Sequence, residues 1–169
     1  RLVRAKRKIQ AAGIPYRVPP LEVLPERLDA LLAVIYLIFN AGYAAPQGEQ
    51  FVRVALCTEA IRLGRVLTVL LAEEINLRES PEAIGLLALM LLHDARRPAR
   101  TGPNGEIILL EEQDRRRWEQ DKIAEGIALL EHALNLHQPG PYQIQAAISA
   151  LHPARPSASS PPATQRAGA

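Results

Sequence analysis

Residues 83–92 set the strongest limit on what this chain can fold into: only Gly85 among them lacks an apolar side chain. The run is too short to cross a membrane, which takes about 20 residues. A helix apolar on every side belongs inside a protein core. Ser80-Pro81-Glu82 stands before it as a start signal, with Ser80 as N-cap and Pro81 at the first helical position. The spacing predicts a helix through Leu92 toward Arg96, ended by Pro98. A polar island follows at 93–118, where fourteen charged, amide or imidazole side chains surround a Gly-Pro-Asn-Gly turn. That turn favours positive φ at Gly105, followed by a short extended piece at 107–110 rather than a sheet.

The remaining chain supports a helical fold. Of its 169 residues, 48% are hydrophobic but only 4% aromatic, so the core is aliphatic, and Leu and Ala favour helices over strands. A second helix opens at Pro25. Its Leu28, Leu31, Leu32, Ile35, Ile38 and Phe39 cover more than one face, which marks it as central, and Gly42 suits a left-handed cap. A third helix spans 50–73 with a stripe of Val52, Leu56, Ala60, Leu63, Leu67 and Leu70. A fifth starts near 110–114 with a seam of Ile123, Ile127, Leu130 and Leu134. A sixth, 142–151, buries Ile144, Ala147, Ile148 and Leu151. The expected fold class is all-α: antiparallel helix pairs, 50–73 with 82–97 and 114–136 with 142–151, stacked as helical repeats. The sixth helix would then expose a face that normally meets a further repeat.

Both ends differ from this middle. Residues 1–12 form a basic amphipathic helix with Leu2, Ala5 and Ile9 on one stripe, stopped by Gly13. Residues 1–17 hold six of the 20 bases and none of the 18 acids, so the basicity behind the net charge of +2 is local. Residues 13–24 form a Pro-rich linker and 25–151 the helical domain. Residues 152–169, rich in Pro, Ser and Ala, are expected to be disordered. No signal peptide is expected, and both ends read as cut.

Candidate chemistry is sparse. Cys57 lies inside an apolar pattern and reads as a small buried hydrophobe in a reducing compartment. His93, His132, His137 and His152 show no metal-ligand spacing, and no phosphate-cradling or nucleophile motif occurs. Glu111, Glu112 and Asp114 stand at an expected helix start, where acids meet the dipole, and Arg115, Arg116 and Arg117 neutralise them. We therefore expect neither an enzyme nor a cofactor. The island instead suggests a clamp in which Arg96, Arg97 and Arg100 pair with Glu111, Glu112 and Asp114 while Trp118 closes the apolar layer. His93, Asp94, Arg96, Arg97, Arg100, Gln113, Asp114, Arg117 and Trp118 form this clamp or a partner surface.

The segments RLVRAKRKI, AGIPYRVP, AVIYLIFNAGY, LCTEAIRLGRVL, LALMLLHDARRPAR, LLEEQDRRRWEQDKIAEGIALLEHAL and PGPYQIQAAISALH occur in order over residues 1–152. The series resembles a group of extracytoplasmic-function (ECF) sigma factors of bacterial RNA polymerase that carry a tetratricopeptide-like C-terminal extension. The resemblance implies that residues 1–9 end the region 4 recognition helix, with Arg1, Arg4, Lys6, Arg7 and Lys8 at or near DNA. It implies a cytoplasmic transcription factor whose partners are the polymerase core and promoter DNA, with the extension contacting sigma regions 2 and 4. A membrane or a small-molecule substrate is not implied. Two positions depart from the group: Ala41 stands where it has an acid, and further helices replace the Pro-rich stretch after His152. The alternative that the residues leave open is a stand-alone helical-repeat scaffold for protein partners.

Overall fold

A computed structural model describes residues 23–43, 50–73, 80–103 and 105–154, together with Arg4, Arg7, Lys8 and residues 11–13. It divides into two compact units, Arg1–Leu31 and Leu32–Ala169. In the first, Arg4, Arg7, Lys8 and Ala11 are helical and exposed. The Ala12 amide donates to the Lys8 carbonyl at 2.9 Å. Gly13 adopts φ 61°, the left-handed stop its sequence position predicts. Arg1, Lys6 and the apolar stripe Leu2, Ala5 and Ile9 lie outside the described residues.

The fold is all-α, built from packed helix pairs. Its helices are α1 (Leu24–Tyr43), which runs across the division between the units, α2 (Gln50–Glu73), α3 (Pro81–Ala95), the single turn α4 (Arg97–Arg100), α5 (Gln120–Asn135) and α6 (Pro141–Ala154). Ser80 caps α3 by accepting from the Ala83 amide at 3.3 Å, with Pro81 behind it, as the start signal predicts. Thirteen of the 15 residues of α3 are buried, so α3 and not α1 is the central helix. It packs most extensively on α5 and α6, then on α2. On α1 only one face is covered: Leu32, Ile35 and Phe39 are buried, while Val34 and Leu37 stay exposed. Gly42 remains helical and α1 continues to Tyr43, so the expected left-handed cap does not form.

Small residues decide which faces meet. On α2, Cys57, Ala60, Ile61 and Gly64 are buried, and Leu70 of the expected stripe is exposed. A Cβ on Gly64 would lie 3.0 Å from Met90 Cε, so this ridge owes its closeness to α3 to small side chains. The same logic overturns the expected face of α6. Gln143, Ala146 and Ser149 are buried, while Ile144, Ile148 and Leu151 are 56%, 56% and 64% exposed. At Gly85 a Cβ would stand 2.9 Å from the Gln143 amide nitrogen, an approach that bulky Ile side chains would prevent.

Three boundaries differ from expectation. Pro98 does not end the helical path; it sits in the first turn of α4, where its missing N–H is not needed. The helix expected from 110–114 begins only at Gln120, after a 3₁₀ turn at Arg115–Arg117. On it Ile123 and Leu130 are buried but Leu134 is exposed. α6 extends through His152 to Ala154, with Pro153 in its last turn, and residues 155–169 lie outside the described residues. Among the described residues no helix is long and apolar enough to cross a membrane.

Candidate functional site

The polar island folds into a compact joint at the C-terminal end of α3. Thr101 and Ile107 form an isolated antiparallel bridge, the Gly102 amide donates to the Glu106 carbonyl at 2.9 Å, and the Ile108 amide to the Arg100 carbonyl at 2.9 Å. Gly105 takes φ 83°, as the turn sequence predicts. Buried Gln113 holds the returning strand by donating its Nε2 to the Ile108 carbonyl at 3.1 Å. The Glu119 amide then donates to the Ala95 carbonyl at 3.0 Å, satisfying one of the carbonyls a helix end leaves open.

A charged network locks this joint. Asp94 is 2% exposed and pairs with Lys122 Nζ at 2.6 Å and Arg97 Nη1 at 3.5 Å. Glu119 bridges the same two cations, at 2.8 Å from Lys122 and 3.8 Å from Arg97. Burial pulls the Lys122 pKa down, but its hydrogen bonds to Asp94 and Glu119 outweigh that and hold it above the usual lysine value. The clamp thus joins α3 to α5 with partners other than those expected. Asp114 instead caps the 3₁₀ turn through the Arg116 amide at 3.1 Å and pairs with exposed Arg116, whose hydrogen bond keeps its carboxyl below the ordinary value. Glu111, Glu112 and Arg117 are exposed. Sequence reasoning missed Glu119 and Lys122. Their signal was an acid–base pair three residues apart, set between Trp118 and the first seam residue, Ile123.

Trp118 closes the apolar layer as expected, buried with Ala88, Leu89, Leu92, Ala95 and Ala99. The Arg115 guanidinium lies 5.5 Å from its ring. On the other side of α3, His93 Nε2 is 3.0 Å from Ser149 Oγ, and its ring lies 5.3 Å from that of Tyr43. Burial, then the charges of Arg96, Arg100 and His152, push the His93 pKa down to about 4. Arg96 donates to the Tyr43 hydroxyl at 3.3 Å, and Arg100 stacks 3.8 Å over the Tyr43 ring while donating to its carbonyl. Serine and histidine at this distance are two members of a nucleophile–base arrangement. Among the described residues the neighbouring carboxylate, Asp94, is paired with Lys122 and Arg97. Ser149 is also buried, so the pair serves to seat α6 on α3.

Glu82 makes a second joint that the sequence did not reveal. From the first turn of α3 it accepts from the Tyr142 amide at 3.0 Å, the Gln143 amide at 3.2 Å and Gln143 Nε2 at 3.1 Å. A carboxylate from one helix therefore caps the positive end of another. Cys57 is buried as expected; its thiol sits 3.7 Å from the Phe39 carbonyl, and burial, aided by the charge of Asp94, pushes it up to about 11. A cleft lined by Thr68, Ala72, Ile84 and Leu129, among others, holds His132 as its one titratable group among the described residues. Among the described residues no group of three His, Cys, Asp or Glu could hold a metal ion. Of the basic residues assigned to DNA, Arg4, Arg7 and Lys8 are exposed.

A protein of Rhizobium meliloti (strain 1021), named Uncharacterized protein R00370, is 48% identical over 152 residues. The match covers 90% of this chain and 34% of that protein, so the chain spans about a third of its relative's length. No solved structure matches. Residues 27–134, the region holding the clamp and the central helix, match a family of unknown function (DUF6596), and the chain belongs to that family.

Proposed function

We propose that this chain is the regulatory helical extension of a bacterial ECF sigma factor, with residues 1–9 ending its DNA-recognition helix. The observation that carries the proposal is the ordered series of segments over residues 1–152 that resembles such factors. Two further features support it. The chain matches about a third of a longer relative, as an extension would. Its helical part also leaves Ile144, Ile148 and Leu151 exposed on one face, a surface a second protein segment could cover. In this reading Arg1, Arg4, Lys6, Arg7 and Lys8 touch DNA, sigma regions 2 and 4 or the polymerase core contact the helical part, and no catalytic step is involved. The test is promoter-dependent transcription by the intact factor with and without residues 25–151, alongside pull-down with polymerase core. Altered output and retention of the core are expected; identical output would remove the regulatory role.

A second reading is favoured by one observation: the family match, 27–134, lies wholly within the helical part and excludes the basic start. A stand-alone scaffold would bind its protein partner without any sigma region, and residues 25–151 alone would then retain that partner.

A further inference from the structure

Three arginines leave the C-terminal end of α3, and among the described residues only Arg97 meets a carboxylate. Arg97 pairs with Asp94 and Glu119. Arg96 and Arg100 meet no carboxylate among the described residues and both turn onto Tyr43 instead. Arg96 Nη2 donates to the Tyr43 hydroxyl at 3.3 Å, and the Arg100 guanidinium lies 3.8 Å over the same ring. Two guanidinium groups therefore stand within one tyrosine's width of each other. Arg96 Nε is buried with no hydrogen-bond partner. Both side chains are half-buried, which weakens solvent screening of their charge while leaving them accessible.

We propose that Arg96 and Arg100, gathered on Tyr43, bind a doubly charged phosphoryl group. A guanidinium presents a planar fork of donors that matches phosphate oxygens, and two forks match a dianion better than a single carboxylate. The preference of cations for a helix C-terminus explains why one arginine stands here. It does not explain two un-neutralised guanidinium groups on one residue. Burial is the first cause of the depressed His93 pKa, and the charges of Arg96 and Arg100 lower it further, which places both guanidinium groups beside this ring. The site is independent of the transcription proposal and uses none of the residues assigned there to DNA.

The test is calorimetric titration of the full chain with inorganic phosphate and, separately, glycerol phosphate, at constant ionic strength with chloride as the control anion. One saturable site per chain is expected. Binding to glycerol phosphate alone would assign the group to an organic phosphate, and binding to both would assign it to the phosphoryl group as such. R96Q and R100Q should each weaken binding by about tenfold or more. R116Q should bind as the wild type does, because Arg116 is exposed and paired with Asp114. Should the arginine variants not fold, NMR of the wild-type chain decides: phosphate should shift the Tyr43 and His93 ring signals saturably and leave Tyr142 in place. Absence of saturable heat with both ligands, wild-type affinity in R96Q and R100Q, or shifts confined to other residues would overturn the proposal.

Discussion

Replacing Asp94 with alanine removes the one buried carboxylate that holds α3 against α5. Its oxygens lie 2.6 Å from Lys122 Nζ and 3.5 Å from Arg97 Nη1. After the change both cations share Glu119 alone, at 2.8 and 3.8 Å, leaving one positive charge uncompensated. Breaking a fully buried pair costs about 3–5 kcal/mol. Here the Lys122 and Arg97 side chains keep 25% and 33% of their exposure and can recover some hydration, so the cost falls below that range, to about 2–3 kcal/mol. For a chain of this size that lowers Tm by roughly 5–10 °C. Urea unfolding of the wild type, D94A, K122A and the double variant would measure it. The two single changes should couple by about 1–2 kcal/mol, since each removes the other's partner. A D94A chain within about 0.5 kcal/mol of wild type, or additive single changes, would refute the view that this network locks the joint.

Gly85→Ala should destabilise by about 1–3 kcal/mol, because its Cβ would lie 2.7 Å from Gln143 Cγ and 2.9 Å from the Gln143 amide nitrogen and α6 must move away. Faster amide exchange in α6 than in α5 would report that movement, and unchanged stability would show that the close approach is not needed. His93 titrates near 4 in the folded chain against about 6.5 unfolded, so between these values only the unfolded chain takes up its proton. Its contribution is therefore complete above pH 6.5 and lost as pH falls toward 4, by on the order of 3 kcal/mol at most. His93→Gln should flatten the urea midpoint against pH in that window; the same slope in both proteins would contradict the assignment.

Much of the architecture was legible from local signals. Ser80-Pro81 marked the start of α3, and its apolar run required burial. The Gly-Pro-Asn-Gly turn announced the positive φ at Gly105, and Gly13 its own left-handed stop. These features act within a few residues, so the chain carries them wherever it folds. The site was legible only as a density of charge. Asp94, Arg97 and Trp118 were recognisable as its members, but Lys122 and Glu119 were not, because nothing near them in sequence reveals which helix end they will face.

Residue pattern specifies a helical fold, most of the helix starts and the burial of α3. Which face of each helix is covered follows from packing between distant segments. On α6 the larger aliphatic residues, Ile144, Ile148 and Leu151, would be expected to face inward on hydrophobicity, yet Gln143, Ala146 and Ser149 do. The reason is steric and electrostatic together: at Gly85 two backbones meet too closely for a bulky side chain, and Glu82 reaches across to cap the α6 N-terminus. Apolar area says how much surface is worth burying, whereas the fit of backbones and the pairing of buried charges settle which surface it is.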